Sequence, residues 1–332
     1  MAGATPWRVL EGAFTSTRSQ SLAYYATFPP QEISLRGVVL FVHGIGEYAR
    51  RFTHLFDALC ADGFGVIAYD MIGHGRSDCD YRQERGHAEL FQHMVDDTNA
   101  FITFAKKTIY PEVLGDTSPP ALIFMGMSYG TLVGLHTVLS EQHSFSGMVL
   151  TAPAISVEWT CVLKCQAIFM RPLGKLIPHM RITPGVNYNY LSRDPAFVAD
   201  YLADSMVIKA KMTARMALET LKAMKKLRTD TRVTTASSAF CQIPVLFVQG
   251  SADKITSVAQ AEEFHRNMAT KDKRFEKLDG LFHCIFDEPE KEQVMKIITS
   301  WLNERFSPSS EDFLTVEDAE EVRGAEGATV QG

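Results

Sequence analysis

The chain has 332 residues, 46% of them apolar and 22% charged, with a formal net charge of −6, an ordinary balance for a soluble globular protein able to bury a large core. Residues 308–332 hold seven acids against the single Arg323, so the remainder of the chain is neutral and offers no electrostatic case for nucleic acid. No run reaches the ~18 apolar residues of a transmembrane helix.

The first residues, MAGATPWRVLEGAF, lack the apolar core of a secretory leader. GVVLFVH (37–43) reads as a buried strand and 51–63 as a helix stopped by Gly63; GFGVIAYD (63–70) is a second strand, followed by a long amphipathic helix over 87–107. ALIFMG (121–126) is the third strand, a helix follows from Tyr129 to about Ser140, and FSGMVLTAP (145–153) is the fourth strand. After an interruption, 243–250 and 274–280 resume the strands, with helices at 257–269 and 288–305.

Fully apolar strands separated by helices predict an α/β fold with a mostly parallel sheet covered on both faces. The interruption has another texture. Its apolar stretch 162–180 and the helical patterns 197–208 and 212–227 predict a helical cap without strands. The expected division is a core of 1–153 and 239–306, a cap of 154–238, and an acidic, disordered tail of 307–332. The cysteines (Cys60, Cys79, Cys161, Cys165, Cys241, Cys284) form no C-x-x-C pair, and Cys161 and Cys165 have no histidine nearby to complete a zinc site. Free thiols in a reducing compartment are expected, hence a cytoplasmic protein.

Gly126-Met127-Ser128-Tyr129-Gly130 falls between the third strand and its helix. At roughly 7% usage each for Gly and Ser, G-x-S-x-G arises by chance about once in ten chains of this length, so its meaning depends on partners. In the strand-turn-helix setting it predicts a nucleophile elbow that projects Ser128 into a cleft at the carboxyl end of the sheet. His43-Gly44 closes the first strand, where the N–H of Ile45 can face a developing oxyanion; the N–H of Tyr129 is the second expected donor. Asp253 follows the strand 243–250, where a carboxylate can orient an imidazole. Of ten histidines only His265 and His283 follow Asp253. His265 lies in a solvated helix and His283 in a loop, so His283 is the candidate base in the order serine, acid, histidine.

HGIGEYARRF (43–52), YDMIGHGRSD (69–78), GMSYG, SRDPAFVADYLADSM (192–206), PVLFVQGSADKI and GLFHCIFDEP together resemble the monoglyceride lipase and lysophospholipase branch of the α/β-hydrolase superfamily, over roughly residues 10–306. The resemblance implies an α/β-hydrolase fold with an inserted helical cap, Ser128 as nucleophile, Asp253 as acid, His283 as base, and Ile45 and Tyr129 as oxyanion donors. It also implies Glu47 and Tyr201 near the glycerol end of the pocket. Where the branch has His-Ser-Met-Gly-Gly at the elbow and a histidine after the loop glutamate, this chain has Met127, Tyr129, Thr131 and Tyr48, which bears on substrate preference.

The expected reaction is cleavage of a monoacyl lipid ester, with monoacylglycerol as substrate and no cofactor, metal or obligate protein partner. Lysophospholipids or short esters are the alternative substrates, and a ligand-binding protein without chemistry is the alternative class. The cap stretch around Ile168, Phe169, Leu173, Leu176 and Ile177 is expected to touch a membrane surface.

Overall fold

The computed structural model describes residues 7–115, 118–158, 169, 172–183 and 186–307. The acidic tail and most of the apolar stretch 162–171 lie outside the described residues. Eight strands form one sheet: β1 (Arg8–Thr15), β2 (Ser21–Phe28), β3 (Gly37–Val42), β4 (Phe64–Tyr69), β5 (Leu122–Met127), β6 (Gly147–Thr151), β9 (Val245–Gly250) and β10 (Lys273–Leu278). Their order is β1-β2-β4-β3-β5-β6-β9-β10. The pairs β1–β2 and β2–β4 are antiparallel and the others parallel.

Every residue of β3, β4, β5, β6 and β9 is buried. Their near-continuous apolar runs follow from being covered on both faces. Along β3, Val38, Leu40 and Val42 enter one half of the core, while Val39 and Phe41 enter the other. The first half packs under α2 (Phe91–Phe104) and α4 (Tyr129–Leu139), and the second under α1 (Thr53–Ala61) and α8 (Lys291–Asn303). At about 1.5–3 kcal/mol for each large apolar side chain, this two-sided burial is the main force holding the sheet.

β1 and β2 were not legible as strands. β1 is an edge strand with one buried residue, Phe14, and reads RVLEGAFT without a sustained alternation. Antiparallel pairing to β2 supplies what its own propensity does not. The long helix predicted over 87–107 starts later, at Phe91; it passes through a π turn at Ala105–Ile109 into α3 (Tyr110–Leu114). α7 (Val258–Asn267) covers β9 and β10.

Between β6 and β9 the chain leaves the sheet to form the cap. Its described part holds α5 (Pro195–Ala203) and α6 (Ala214–Arg228). The expectation of a cap without strands is corrected: β7 (Arg181–Thr183) pairs antiparallel with β8 (Met212–Thr213). Elements of two and three residues carry no periodicity to read. The helical pattern over 197–208 is also cut short, because α5 ends at Ala203 and the Asp204 side chain accepts from the N–H of Met206 at 2.8 Å. Leu173, expected on the outer surface, packs instead on Ala214, Ala217 and Leu218.

Gly134 lies inside α4, where a Cβ would come within 1.7 Å of the buried Phe124 ring. Replacing it with alanine gains roughly 1 kcal/mol of helix propensity, but forces a fully buried aromatic aside at about 1–3 kcal/mol. Gly134→Ala is therefore expected to lower the thermal midpoint by several degrees, and a second change, Phe124→Leu, to restore part of the loss. A midpoint that rises in the single variant refutes this account of the contact.

Candidate active site

Ser128 sits between β5 and α4 with φ 52° and ψ −121°. This left-handed conformation costs a non-glycine residue about 1–3 kcal/mol, so its surroundings must hold it. The N–H of Ser128 donates to the carbonyl of Thr151 at 2.9 Å. Its own carbonyl accepts from the Thr131 hydroxyl at 2.6 Å, and that hydroxyl accepts from the N–H of Ala154 at 2.9 Å. The flanking glycines are required by space: a Cβ on Gly130 would lie 2.0 Å from the carbonyl oxygen of Val42, and one on Gly126 would lie 3.0 Å from Gly130.

The strands bring together the three residues that are far apart in sequence. His283 Nε2 lies 2.8 Å from Ser128 Oγ. His283 Nδ1 lies 2.9 Å from Asp253 Oδ2. A carboxylate only accepts, so the ring proton is on Nδ1 and the Ser128 hydroxyl donates to Nε2. All three side chains are buried. His265 lies apart in α7, its ring packed on Phe247 and Phe275.

Asp253 is held by more than its histidine. Its Oδ2 also accepts from the Thr256 hydroxyl at 2.6 Å and from Gln249 Nε2 at 3.2 Å, while Oδ1 accepts the N–H groups of Ile255 and Thr256 at 2.8 and 3.1 Å. Burial alone would raise its pKa. The facing His283 and these hydrogen bonds outweigh that and keep the carboxyl below its ordinary value. Gln249 and Thr256 were not identified from sequence; both look like ordinary strand-end residues until the fold places them around one carboxylate.

The loop after β3 runs beside the serine, with Ser128 Cβ 3.5 Å from where a Gly44 Cβ would be. His43, just past the end of β3, fixes this loop. The N–H of Met71 donates to His43 Nε2 at 3.0 Å, so Nδ1 carries the proton and donates to the Gly44 carbonyl at 2.8 Å. Burial lowers the His43 pKa to about 4, keeping the ring in this neutral form. The carbonyl of Gly44 and the N–H of Ile45 belong to one trans peptide and point in opposite directions. The N–H of Ile45 makes no hydrogen bond among the described residues, and that of Tyr129, first in α4, has no partner within its helix. Two free donors beside an activatable hydroxyl can stabilise the tetrahedral anion of acyl transfer, where a single donor accounts for about 10²–10³ in rate.

Glu47 and Tyr201 also come close to this loop. Glu47 Oε2 lies 2.7 Å from the position of a Gly44 Cβ, and the Tyr201 hydroxyl 3.7 Å from that of Gly46. Burial raises the Glu47 pKa to about 7 against the opposing charges of Arg51 and His283. Arg51 stacks over the Tyr201 ring at 5.1 Å and pairs with Asp204 at 2.9 Å. Tyr48 donates to the same Asp204 carboxylate at 2.8 Å. The Tyr129 side chain turns toward the cap, where its hydroxyl accepts from Thr220 at 3.3 Å.

The family model described as "Serine aminopeptidase, S33" matches residues 33–290. The monoacylglycerol lipase of Mycolicibacterium smegmatis is 30% identical over 270 residues, covering 80% of this chain and 88% of the relative. Phospholipase YtpA of Bacillus subtilis is 25% identical over 260 residues, covering 78% of this chain and 92% of the relative. Among solved structures, a soluble variant of the Saccharomyces cerevisiae monoglyceride lipase in complex with a substrate analog superposes with a TM-score of 0.76 at 22% identity, covering 92% of this chain and 97% of the other. With the family model spanning most of the chain around a buried serine–histidine–aspartate array, the chain belongs to the serine aminopeptidase S33 family of α/β hydrolases.

Proposed function

We propose that the protein is a serine hydrolase that cleaves the ester bond of monoacylglycerols to glycerol and free fatty acid through an acyl-enzyme. The observation that carries the reading is the pair of short contacts, Ser128 Oγ to His283 Nε2 at 2.8 Å and His283 Nδ1 to Asp253 Oδ2 at 2.9 Å. His283 takes the Ser128 proton as Oγ attacks the ester carbonyl. The N–H groups of Ile45 and Tyr129 hold the resulting oxyanion, and Asp253 stabilises the imidazolium. The tetrahedral intermediate collapses as His283 returns the proton to the glycerol oxygen. Water, activated by the same histidine, then releases the fatty acid and restores Ser128.

The relatives support ester hydrolysis of this class, since they include enzymes named monoacylglycerol lipase and monoglyceride lipase. Glu47 and Tyr201 are the proposed contacts for the glycerol end. A second reading, hydrolysis of a lysophospholipid, is favoured by the relative named a phospholipase. Against it, the chain outside residues 308–332 is neutral and supplies no excess of positive charge for a phosphate headgroup. The cap also leaves Phe169, Leu176 and Met180 exposed at 60%, 80% and 52%, with Ile177 beside them, as a proposed contact with the lipid surface; Ile168 lies outside the described residues. Among the described residues no helix is long and apolar enough to cross a membrane.

Purified protein is expected to release fatty acid from a monoacylglycerol and much less from lysophosphatidylcholine. Ser128→Ala should fold normally, lose labelling by a serine-reactive phosphonate, and keep at most a small residual rate. Equal turnover in the variant would refute the mechanism, and preference for the lysophospholipid would replace the substrate.

Glu47→Gln tests the proposed glycerol contact and the cost of burying that acid. A folded pKa of about 7 against an ordinary 4.5 means that the folded state holds the proton more tightly, so stability falls as pH rises between those values. The variant should gain stability over the wild type above pH 7, on the order of 3 kcal/mol at ~1.4 kcal/mol per unit, and lose the advantage below about pH 4.5. Denaturant titrations at both ends check the sign, and KM for monoacylglycerol should rise while hydrolysis of a short ester changes little. For the lipid contact, Leu176→Asp should reduce flotation with liposomes and leave short-ester hydrolysis intact; unchanged flotation removes the cap surface from the proposal.

A further inference from the structure

Away from the serine, two histidines and three carboxylates converge where the loop between β4 and α2 meets the cap. Glu84 and His87 come from that loop and His179 from the residues just before β7. One donor atom from each of the three lies within 4.8 Å of the others. His179 Nδ1 is 2.8 Å from Glu84 Oε2, and His87 Nδ1 is 3.9 Å from the same oxygen.

The surroundings of His87 set its protonation. Its side chain is fully buried, with Nε2 facing Asp80 Oδ2 at 3.4 Å and Glu89 Oε2 at 3.6 Å. Neither contact meets hydrogen-bond geometry: His87 Nε2 and Asp80 Oδ2 are both buried without a hydrogen-bond partner among the described residues. Two carboxylates on that side draw the ring proton to Nε2. That leaves Nδ1 as the acceptor, where the Thr213 hydroxyl donates to it at 2.8 Å and Glu84 Oε2 lies 3.9 Å away. A buried imidazole with one nitrogen beside further donors and two carboxylates within 3.6 Å of the other has the surroundings of a metal ligand, where small rotations bring the outer carboxylates into support. The local charge agrees. Among the described residues, the one Lys or Arg ion pair that Asp80, Glu84 and Glu89 make is between Arg215 and Glu89, at 3.3 Å.

We infer that Glu84, His87 and His179 form a binding site for a divalent transition cation of the zinc class, with Asp80 and Glu89 orienting His87. Two imidazoles and a carboxylate suit zinc or its neighbours and not calcium or magnesium, which favour oxygen ligands. Bonds of about 2.0–2.1 Å require the donors to close further. His179 and Glu84 are partly exposed and can rotate onto the ion, and the Thr213 hydroxyl gives up its bond to His87 Nδ1 to admit it. The ion takes no part in ester chemistry. It joins the core-side loop to the cap beside Thr213, whose side chain caps α6 by accepting from the N–H of Met216.

The test uses full-length, tag-free protein stripped with a chelator, titrated with ZnCl₂ by calorimetry and with CoCl₂ by visible absorption. Wild type and Ser128→Ala should each bind one ion per chain, with Co²⁺ giving low-symmetry absorption bands and zinc raising the thermal midpoint. Affinity should fall at least ~100-fold in His179→Ala and ~10-fold in Glu84→Gln, with the midpoint no longer responsive to zinc in His179→Ala. Both substitutions alter partly exposed side chains, and circular dichroism confirms that the variants fold. Ser128→Ala separates this site from the serine–histidine pair. No saturable binding by the wild type, or equal binding by His179→Ala and Glu84→Gln, overturns the inference.

Discussion

A serine backbone held at φ 52° just past the end of β5 is the constraint on which the rest of the site depends. The conformation is unfavourable by itself, and it persists because three chain segments close around it. β6 contributes the Thr151 carbonyl, α4 contributes the Thr131 hydroxyl, and β3 runs so close that Gly130 admits no side chain. Thr131 stands where the resembling branch has glycine, and its hydroxyl bonds both the Ser128 carbonyl and the N–H of Ala154. The departure therefore adds two hydrogen bonds to the elbow.

Two buried acids near this serine face opposite treatments. Asp253 receives hydrogen bonds from His283, Thr256, Gln249 and two backbone N–H groups, enough to keep it ionised despite burial. Glu47 has no comparable set, and Asp287, raised to about 7 by burial and by Glu47, crowds the same region. Hydrogen bonds to the charged form decide the difference, since both Asp253 and Glu47 lie in the same dry interior.

The parts of the protein that sequence discloses are those whose physics is local. The apolar runs of β3 to β6 and β9 name themselves because burial on both faces leaves few polar positions, Thr151 and Gln249 at the strand ends being the exceptions, and the elbow is legible because glycine, serine and glycine meet a strand end. β1 and β2 are not, since their stability comes from pairing across the sheet and their side chains are mixed. Gln249, Thr256 and His43 are missed for a related reason. Their roles are to hold another group, and such a role exists only once the fold has supplied the group to be held.

The SRDP stretch of the cap shows how far that reasoning extends. Its value to the site is not apparent from residue chemistry, yet it anchors the loop that carries His283. The N–H of His283 donates to the Tyr190 carbonyl at 3.3 Å and that of Cys284 to the Leu191 carbonyl at 2.6 Å. The Ser192 hydroxyl donates to the Asp287 carbonyl at 2.7 Å, and Arg193 pairs with the buried Glu288 at 2.9 Å. Glu288 in turn accepts the N–H of Phe282 at 2.7 Å, one residue before the histidine. The histidine loop is thus fastened from both sides, by β10 and by the cap. A change at Arg193 takes the ion-pair partner from the buried Glu288, a costly loss, and the segment tied to that same side chain through Phe282 is the one that sets the His283 ring against Ser128. The cap is for this reason part of what places the imidazole of His283.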